Sequence, residues 1–386
     1  VEDSKFEVVA VDGLARLGYL KTGHGNVQTP VFMPVGTNAN VKLLSTRDLE
    51  ELQAEIILSN SYHLAVKPGV DVIKSLGGLH SFMDWRGGIL TDSGGFQIFS
   101  LRKLIEVDDE GVLITSPVDG SKLFLTPELS IRIQRDLGSD IVMVLDQCGH
   151  PNSSYLETKD ALRRTHAWAK RSVQVGVADN QMLFGIAQGG MFSDLRRMSA
   201  QYLAGLNFDG YAVGGLSIGE PLDLTLEMTY ETTNNLPRDK ARYFMGGGSP
   251  DLIVQLVDLG VDMFDSVFPT RIARHGTALT SYGRLNVRSS KFKTDKSPID
   301  MNCDCFVCRR FSRAYIHHLF DRKEVLGGTL LSFHNIRFMM NLMRRIRESI
   351  LKGSFKLLKK EVLELYEQKR DSNCDVVGND RGFNTG

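Results

Sequence analysis

The chain has 386 residues, 42% of them apolar and 24% charged, with 37 glycines and 11 prolines. That profile excludes disordered, collagen-like and disulfide-stapled classes and fits a folded globular protein. Lys plus Arg and Asp plus Glu each total 46, so overall charge names no partner.

Charge is unevenly spread: residues 288–360 carry 17 Lys/Arg against 6 Asp/Glu, which suits either an anionic polymer or a solvated helical face. No apolar run reaches the ~18 residues of a membrane span. The opening Val1-Glu2-Asp3-Ser4-Lys5 lacks the basic start and apolar core of a secretory signal. Five cysteines, three of them between 303 and 308, suit a reducing compartment. The expectation is a cytoplasmic protein with no membrane segment.

Taken in order, eight short apolar segments recur, each followed by turn residues: 31–35, 56–59, 89–91, 141–145, 183–187, 211–213, 243–245 and 263–268. Helical patterns lie between them. Arg47–Ala54 follows a Ser45/Thr46 cap, and Thr126-Pro127-Glu128 opens a helix with Pro at its first position. Further helices are expected over 155–175, 194–206, 222–235 and 250–259. Residues 105–125 alternate and contain Asp119-Gly120, which reads as a hairpin inserted after the third strand.

Strand and helix alternating eight times predict an α/β fold, a parallel (β/α)8 TIM barrel, with a doubly wound sheet as the rival. A barrel requires its functional groups at the C-terminal strand ends. Those ends read Asn60, Thr91-Asp92-Ser93-Gly94-Gly95, Asp146-Gln147-Cys148, Gln188-Gly189-Gly190, Gly214-Gly215-Leu216, Gly246-Gly247-Gly248 and Asp265. Asp265 sits inside an apolar run ending at Pro269, where a carboxylate is costly unless paired or used.

Past 280 the pattern changes. The expected organisation is a barrel over 1–280, a basic zinc-binding subdomain over 281–335 and closing helices over 336–368, with a disordered polar tail over 369–386. Helices are expected over 311–320 and 335–351, the second with a Met-rich apolar stripe that reads as core. Cys303-x-Cys305-x-x-Cys308 offers three thiols for a closed, structural Zn2+ site. His334 is the best-placed fourth ligand, and His317 and His318 compete for the role.

Thr91-Asp92-Ser93-Gly94-Gly95-Phe96-Gln97, Gln188-Gly189-Gly190, Gly214-Gly215-Leu216-Ser217-Ile218-Gly219-Glu220, Met263-Phe264-Asp265 with Pro269-Thr270-Arg271, and the Cys cluster with His334 together resemble the tRNA-guanine transglycosylases of bacterial type, over roughly residues 6–368. The resemblance implies exchange of the wobble guanine of tRNA for 7-aminomethyl-7-deazaguanine, in queuosine biosynthesis. It implies Asp265 as nucleophile on the ribose, giving a covalent RNA–enzyme intermediate, and Asp92 as general acid/base. Asp146, Gln188 and the Gly215 amide would read the base; Phe96 and Met245 would sandwich it; Leu216 and Cys148 would belong to the same pocket. It further implies Arg271 and Arg274 on the RNA, one zinc held by Cys303, Cys305, Cys308 and His334, and a homodimer. Phe96 stands where some members have Tyr, and Gln147 where Glu is common.

The bare chemistry agrees. Double displacement at a sugar carbon needs two carboxylates with different tasks, and no redox or phosphate-bearing cofactor.

Overall fold

The computed structural model describes residues 5–95, 105–115, 120 and 122–366. Three strands absent from the sequence expectation come first: β1 (Phe6–Asp12), β2 (Ala15–Thr22) and β3 (Gly25–Thr29), an antiparallel sheet in that order. Next are β4 (Val31–Pro34), β5 (Ile56–Asn60) and β6 (Gly88–Asp92). A second small sheet, β7 (Ile105–Val107), β8 (Val112–Thr115) and β9 (Lys122–Leu125), occupies the segment expected as one hairpin. Its first turn falls at residues 108–111, while Asp119 lies outside the described residues. Then come β10 (Ile141–Met143), β11 (Met182–Ala187), β12 (Gly210–Val213), β13 (Ala241–Phe244) and β14 (Met263–Ser266), and last the hairpin β15 (Thr277–Thr280) and β16 (Gly283–Asn286).

Eight of these strands form one parallel sheet in the order β4-β14-β13-β12-β11-β10-β6-β5. A parallel bridge from Val35 to Leu58, with the Gly36 N–H donating to the Leu58 carbonyl at 2.7 Å, joins the two edges. The result is the (β/α)8 barrel rather than the open rival. Period-two alternation divides the strand residues between two cores. Met33, Leu58, Leu90, Tyr243 and Met263 belong to one, and their neighbours Phe32, Ile57, Ile89, Phe244 and Phe264 to the other.

The N-terminal sheet covers the barrel's N-terminal end. Lys5 pairs with Asp209, Arg16 with Asp262 and His24 with Asp140, while the Gln28 N–H donates to Glu55. Each acidic partner stands just before a barrel strand. The opposite end is left for chemistry.

Most helices fall where expected, including Tyr155–Val175 and Pro127–Leu137 capped by Thr126. Two differ. The strand expected to run to Phe268 stops at Ser266, because Pro269 opens the helix Phe268–Arg274 instead of ending a strand. The helix expected from Asn335 begins at Val325 and runs unbroken to Leu351. Gly327 and Gly328 lie inside it, packed against Leu319, Phe320 and Leu43, so close packing overrides their low propensity. No described helix is long and apolar enough to cross a membrane.

Candidate active site and metal centre

Asp92 ends β6, and Asp265 lies near the end of β14. Asp146, Cys148, Gln188, Gly215, Leu216 and Met245 follow β10 to β13 at the same end of the barrel. Phe96 lies outside the described residues. The topology thus gathers residues spread over most of the chain.

Two carboxylates at this mouth have different surroundings. Asp92 Oδ2 accepts from Asn60 Nδ2 at 2.6 Å and Oδ1 from the Gly94 N–H at 3.2 Å. Burial lifts its pKa to about 7, against the pull of the Gly94 amide; the charges of Asp265 and Asp146 add to the rise. Asp265 Oδ1 accepts from the Tyr243 hydroxyl at 2.5 Å and the Gly246 N–H at 2.8 Å. Burial raises its pKa too, but these two donors favour the carboxylate. Asp92 is therefore poised to hold or release a proton near neutrality, while both donors to Asp265 converge on one carboxylate oxygen.

Asp146 and Gln188 meet directly, Gln188 Nε2 donating to Asp146 Oδ2 at 2.6 Å. Burial lifts Asp146 to about 6, with Gln188 opposing. A Cβ on Gly95 would fall on the Asp146 carboxylate, and one on Gly215, at φ +68°, would strike Gln188 Oε1. Glycine is what lets these segments approach. Cys148 is buried, its thiol pushed up to about 12, so it is an inert neighbour and not a nucleophile. Leu216 is buried and Met245 half-buried. Arg271 is exposed and Arg274 half-buried on the helix that follows the Asp265 strand.

Sequence reasoning left three residues without a role. Asn60 was visible as a strand end, but its bond to Asp92 follows from the β5–β6 register, which pairs the two. Tyr243 opens the apolar segment 243–245, and only the β13–β14 pairing brings it to Asp265. Arg196 drew no reading of its own within the expected helix 194–206, yet it has no exposed surface.

Cys303, Cys305, Cys308 and His334 converge, as spacing led us to expect. His334 Nδ1 lies 3.3 Å from Cys308 Sγ and 3.7 Å from Cys305 Sγ. A tetrahedral ion with ~2.0–2.3 Å bonds has ligand–ligand edges of about 3.5 Å. His334 Nε2 lies 2.8 Å from the Leu279 carbonyl; it donates there, leaving the Nδ1 lone pair facing the thiols. The donor set and the fixed tautomer fit a structural metal ion. His317 is engaged elsewhere, its Nδ1 against the Val287 carbonyl at 2.9 Å.

A second cluster, His24, His80 and Asp140, lies at the opposite end of the barrel. Its imidazoles stack with centroids 3.4 Å apart and planes 14° from parallel. Their in-plane lone pairs run side by side and do not converge, so this is a carboxylate-capped stack and not a metal cage.

Comparison with known proteins matches residues 12–368 to the family described as queuine tRNA-ribosyltransferase. A protein of that name from Thermotoga sp. (strain RQ2) is 62% identical over 362 residues, covering 94% of this chain and 98% of that protein. One from Thermosipho africanus is 55% identical over 363 residues, covering 94% and 99%. One from Dehalococcoides mccartyi (strain ATCC BAA-2100 / JCM 16839 / KCTC 5957 / BAV1) is 50% identical over 359 residues, covering 93% and 92%.

Proposed function

The chain belongs to the queuine tRNA-ribosyltransferase family, and from that premise we propose which residues perform its reaction and how. The activity is that of a tRNA-guanine transglycosylase in queuosine biosynthesis, a glycosyltransferase acting on tRNA. The base installed at the wobble position is 7-aminomethyl-7-deazaguanine, by double displacement.

Asp265 attacks the anomeric carbon of the wobble nucleotide while Asp92, protonated, gives its proton to the leaving guanine. The ribose is left as an ester of Asp265. Asp92, now a carboxylate, takes a proton from the incoming base, whose nitrogen displaces Asp265 and restores the glycosidic bond. Each proton and electron pair returns to its start, so no energy source is consumed. Asp146 and Gln188, with the Gly215 amide, read the purine edge. Leu216 and Cys148 line the pocket, and Met245 and Phe96 hold the base flat once it has left the stack. Arg271 and Arg274 meet the anticodon-arm phosphates.

The observation that carries this reading is the contrast between Asp92, with its pKa near 7, and Asp265, held by Tyr243 and Gly246. The cluster of three thiols and one imidazole holds Zn2+, whose ligand preferences it fits and which supplies rigidity. The protein works on tRNA in the cytoplasm as a homodimer.

The test is incorporation of radiolabelled guanine into unmodified tRNA bearing a wobble guanine, wild type beside Asp265→Asn. Wild type exchanges and forms a denaturant-resistant RNA adduct; Asp265→Asn does neither. Full exchange by Asp265→Asn would remove Asp265 as the nucleophile.

A further inference from the structure

Arg196 lies on the helix Ser193–Ala204 with no exposed surface. A guanidinium so buried ordinarily faces a carboxylate. Its hydrogen bonds here go to backbone carbonyls. Nε donates to Gly190 O at 2.8 Å, Nη1 to Gly214 O at 2.8 Å and Ala187 O at 3.3 Å, and Nη2 to Gly215 O at 3.4 Å. These carbonyls belong to the end of β11, to the turn after it that carries Gln188, and to the turn after β12 that carries Gly215. A single planar cation staples both turns together from beneath.

The staple has a directional consequence. A trans peptide holds its N–H antiparallel to the preceding C=O. With the Gly214 carbonyl drawn to Arg196, the Gly215 N–H is turned away from it. That N–H has no hydrogen-bond partner among the described residues. The Gly215 Cα meanwhile rests against Gln188, which bonds to Asp146. Glycine at φ +68° has no side chain to resist rotation of this peptide, so some other group must fix it.

We infer that Arg196 is a positioning residue for base recognition, anchoring the Gly214 and Gly215 carbonyls so that the Gly215 N–H is a preset donor to the keto oxygen of the purine. The inference rests on the base-pocket reading above. Preset dipoles bind without reorganising when the ligand arrives. Lysine, a point charge on a single nitrogen, cannot span these four carbonyls as the guanidinium fork does.

The experiment measures KM separately for guanine and for tRNA in wild type, Arg196→Lys, Arg196→Ala and, as a control on the pocket, Asp146→Asn. Arg196→Lys should raise KM for guanine ~10–100-fold and leave KM for tRNA within about twofold, since phosphate contacts dominate the latter. Millimolar guanidinium should restore part of the loss in Arg196→Ala. If Asp146→Asn raises KM for guanine and Arg196→Lys does not, the pocket stands and the inference falls. If neither moves it, the pocket reading fails and takes the inference with it. A parallel rise in both KM values marks a merely structural role and also overturns it. Should the variants not fold, hydrogen exchange in wild type decides. The Gly215 amide should slow roughly tenfold on saturation with guanine, and no slowing overturns the inference.

Discussion

The hydroxyl of Tyr243 donates to Asp265 Oδ1 at 2.5 Å across the β13–β14 pair. The two residues act as one unit: the phenol holds its proton, its own pKa pushed well up by burial and by the neighbouring carboxylate, and lends it to keep Asp265 ionised. Tyr243→Phe removes that donor, so the Asp265 pKa rises further. Exchange should fall about 10–100-fold, and more at pH 6 than at pH 8.5, because the ionised fraction recovers as pH rises. A pH–rate profile of kcat/KM for tRNA checks this; a uniform drop with an unmoved acid limb would refute it.

Asp92 makes a stability prediction of definite sign. Below about pH 4 its carboxyl is protonated in both folded and unfolded chains and costs nothing. Between there and its folded value of about 7 the native state binds more protons, so stability falls as pH rises and the full cost applies above. Asp92→Asn carries no charge at any pH. It should match wild type at low pH and exceed it by up to about 4 kcal/mol in mildly alkaline buffer, while abolishing exchange. Denaturant melts at the two ends of that range measure it.

Gly95→Ala tests the packing around Asp146, proposed above to read the base. The new Cβ would sit on the Asp146 carboxylate and 2.7 Å from its backbone carbonyl. Asp146 must move, and its bond to Gln188 breaks. KM for guanine should rise about 10–100-fold with a stability loss of ~1–3 kcal/mol. Unchanged base affinity would show that Asp146 does not need this position.

Metal removal should act on the fold before it acts on chemistry. His334→Ala leaves three thiols and no imidazole, and metal content read by atomic absorption should fall below one per chain. The melting transition should drop and broaden, and strong chelators should do the same to wild type. A His334→Ala protein with full metal content would return the fourth ligand to His317 or His318.

Much of this architecture could be read from the residues because it is local. Turn-terminated apolar runs gave the barrel strands, Thr126 before Pro127 gave a helix start, and three thiols in a CxCxxC run gave a metal site. The N-terminal sheet escaped notice because β1 and β2 are amphipathic strands with mixed faces; the barrel end they cover is assembled from residues far along the chain. Tyr243, Asn60 and Arg196 escaped for the same reason. Their roles depend on register and on what lies across a strand or under a turn, and neither leaves a mark on neighbouring residues. The helix expected from Asn335 starts at Val325, and its glycines Gly327 and Gly328 are packed against Leu319, Phe320 and Leu43, contacts that local propensity does not reveal.

The helix Val325–Leu351 bears on how the molecule is made. Beside the metal ligand His334, Asn335 accepts from the Leu279 N–H at 2.9 Å and donates to the carbonyls of Pro269 at 2.9 Å and Thr277 at 3.0 Å. At its far end Arg347 donates to the carbonyls of Gln28 at 3.3 Å and Pro30 at 3.1 Å, where the chain enters the first barrel strand. During synthesis Asp92 and Asp265 leave the ribosome before this helix does. Until it arrives, the segment after Asp265 lacks its hydrogen bonds to Asn335, and the entry to the first barrel strand lacks those to Arg347. A chain that stops short of Val325 therefore holds both Asp92 and Asp265 but none of these hydrogen bonds.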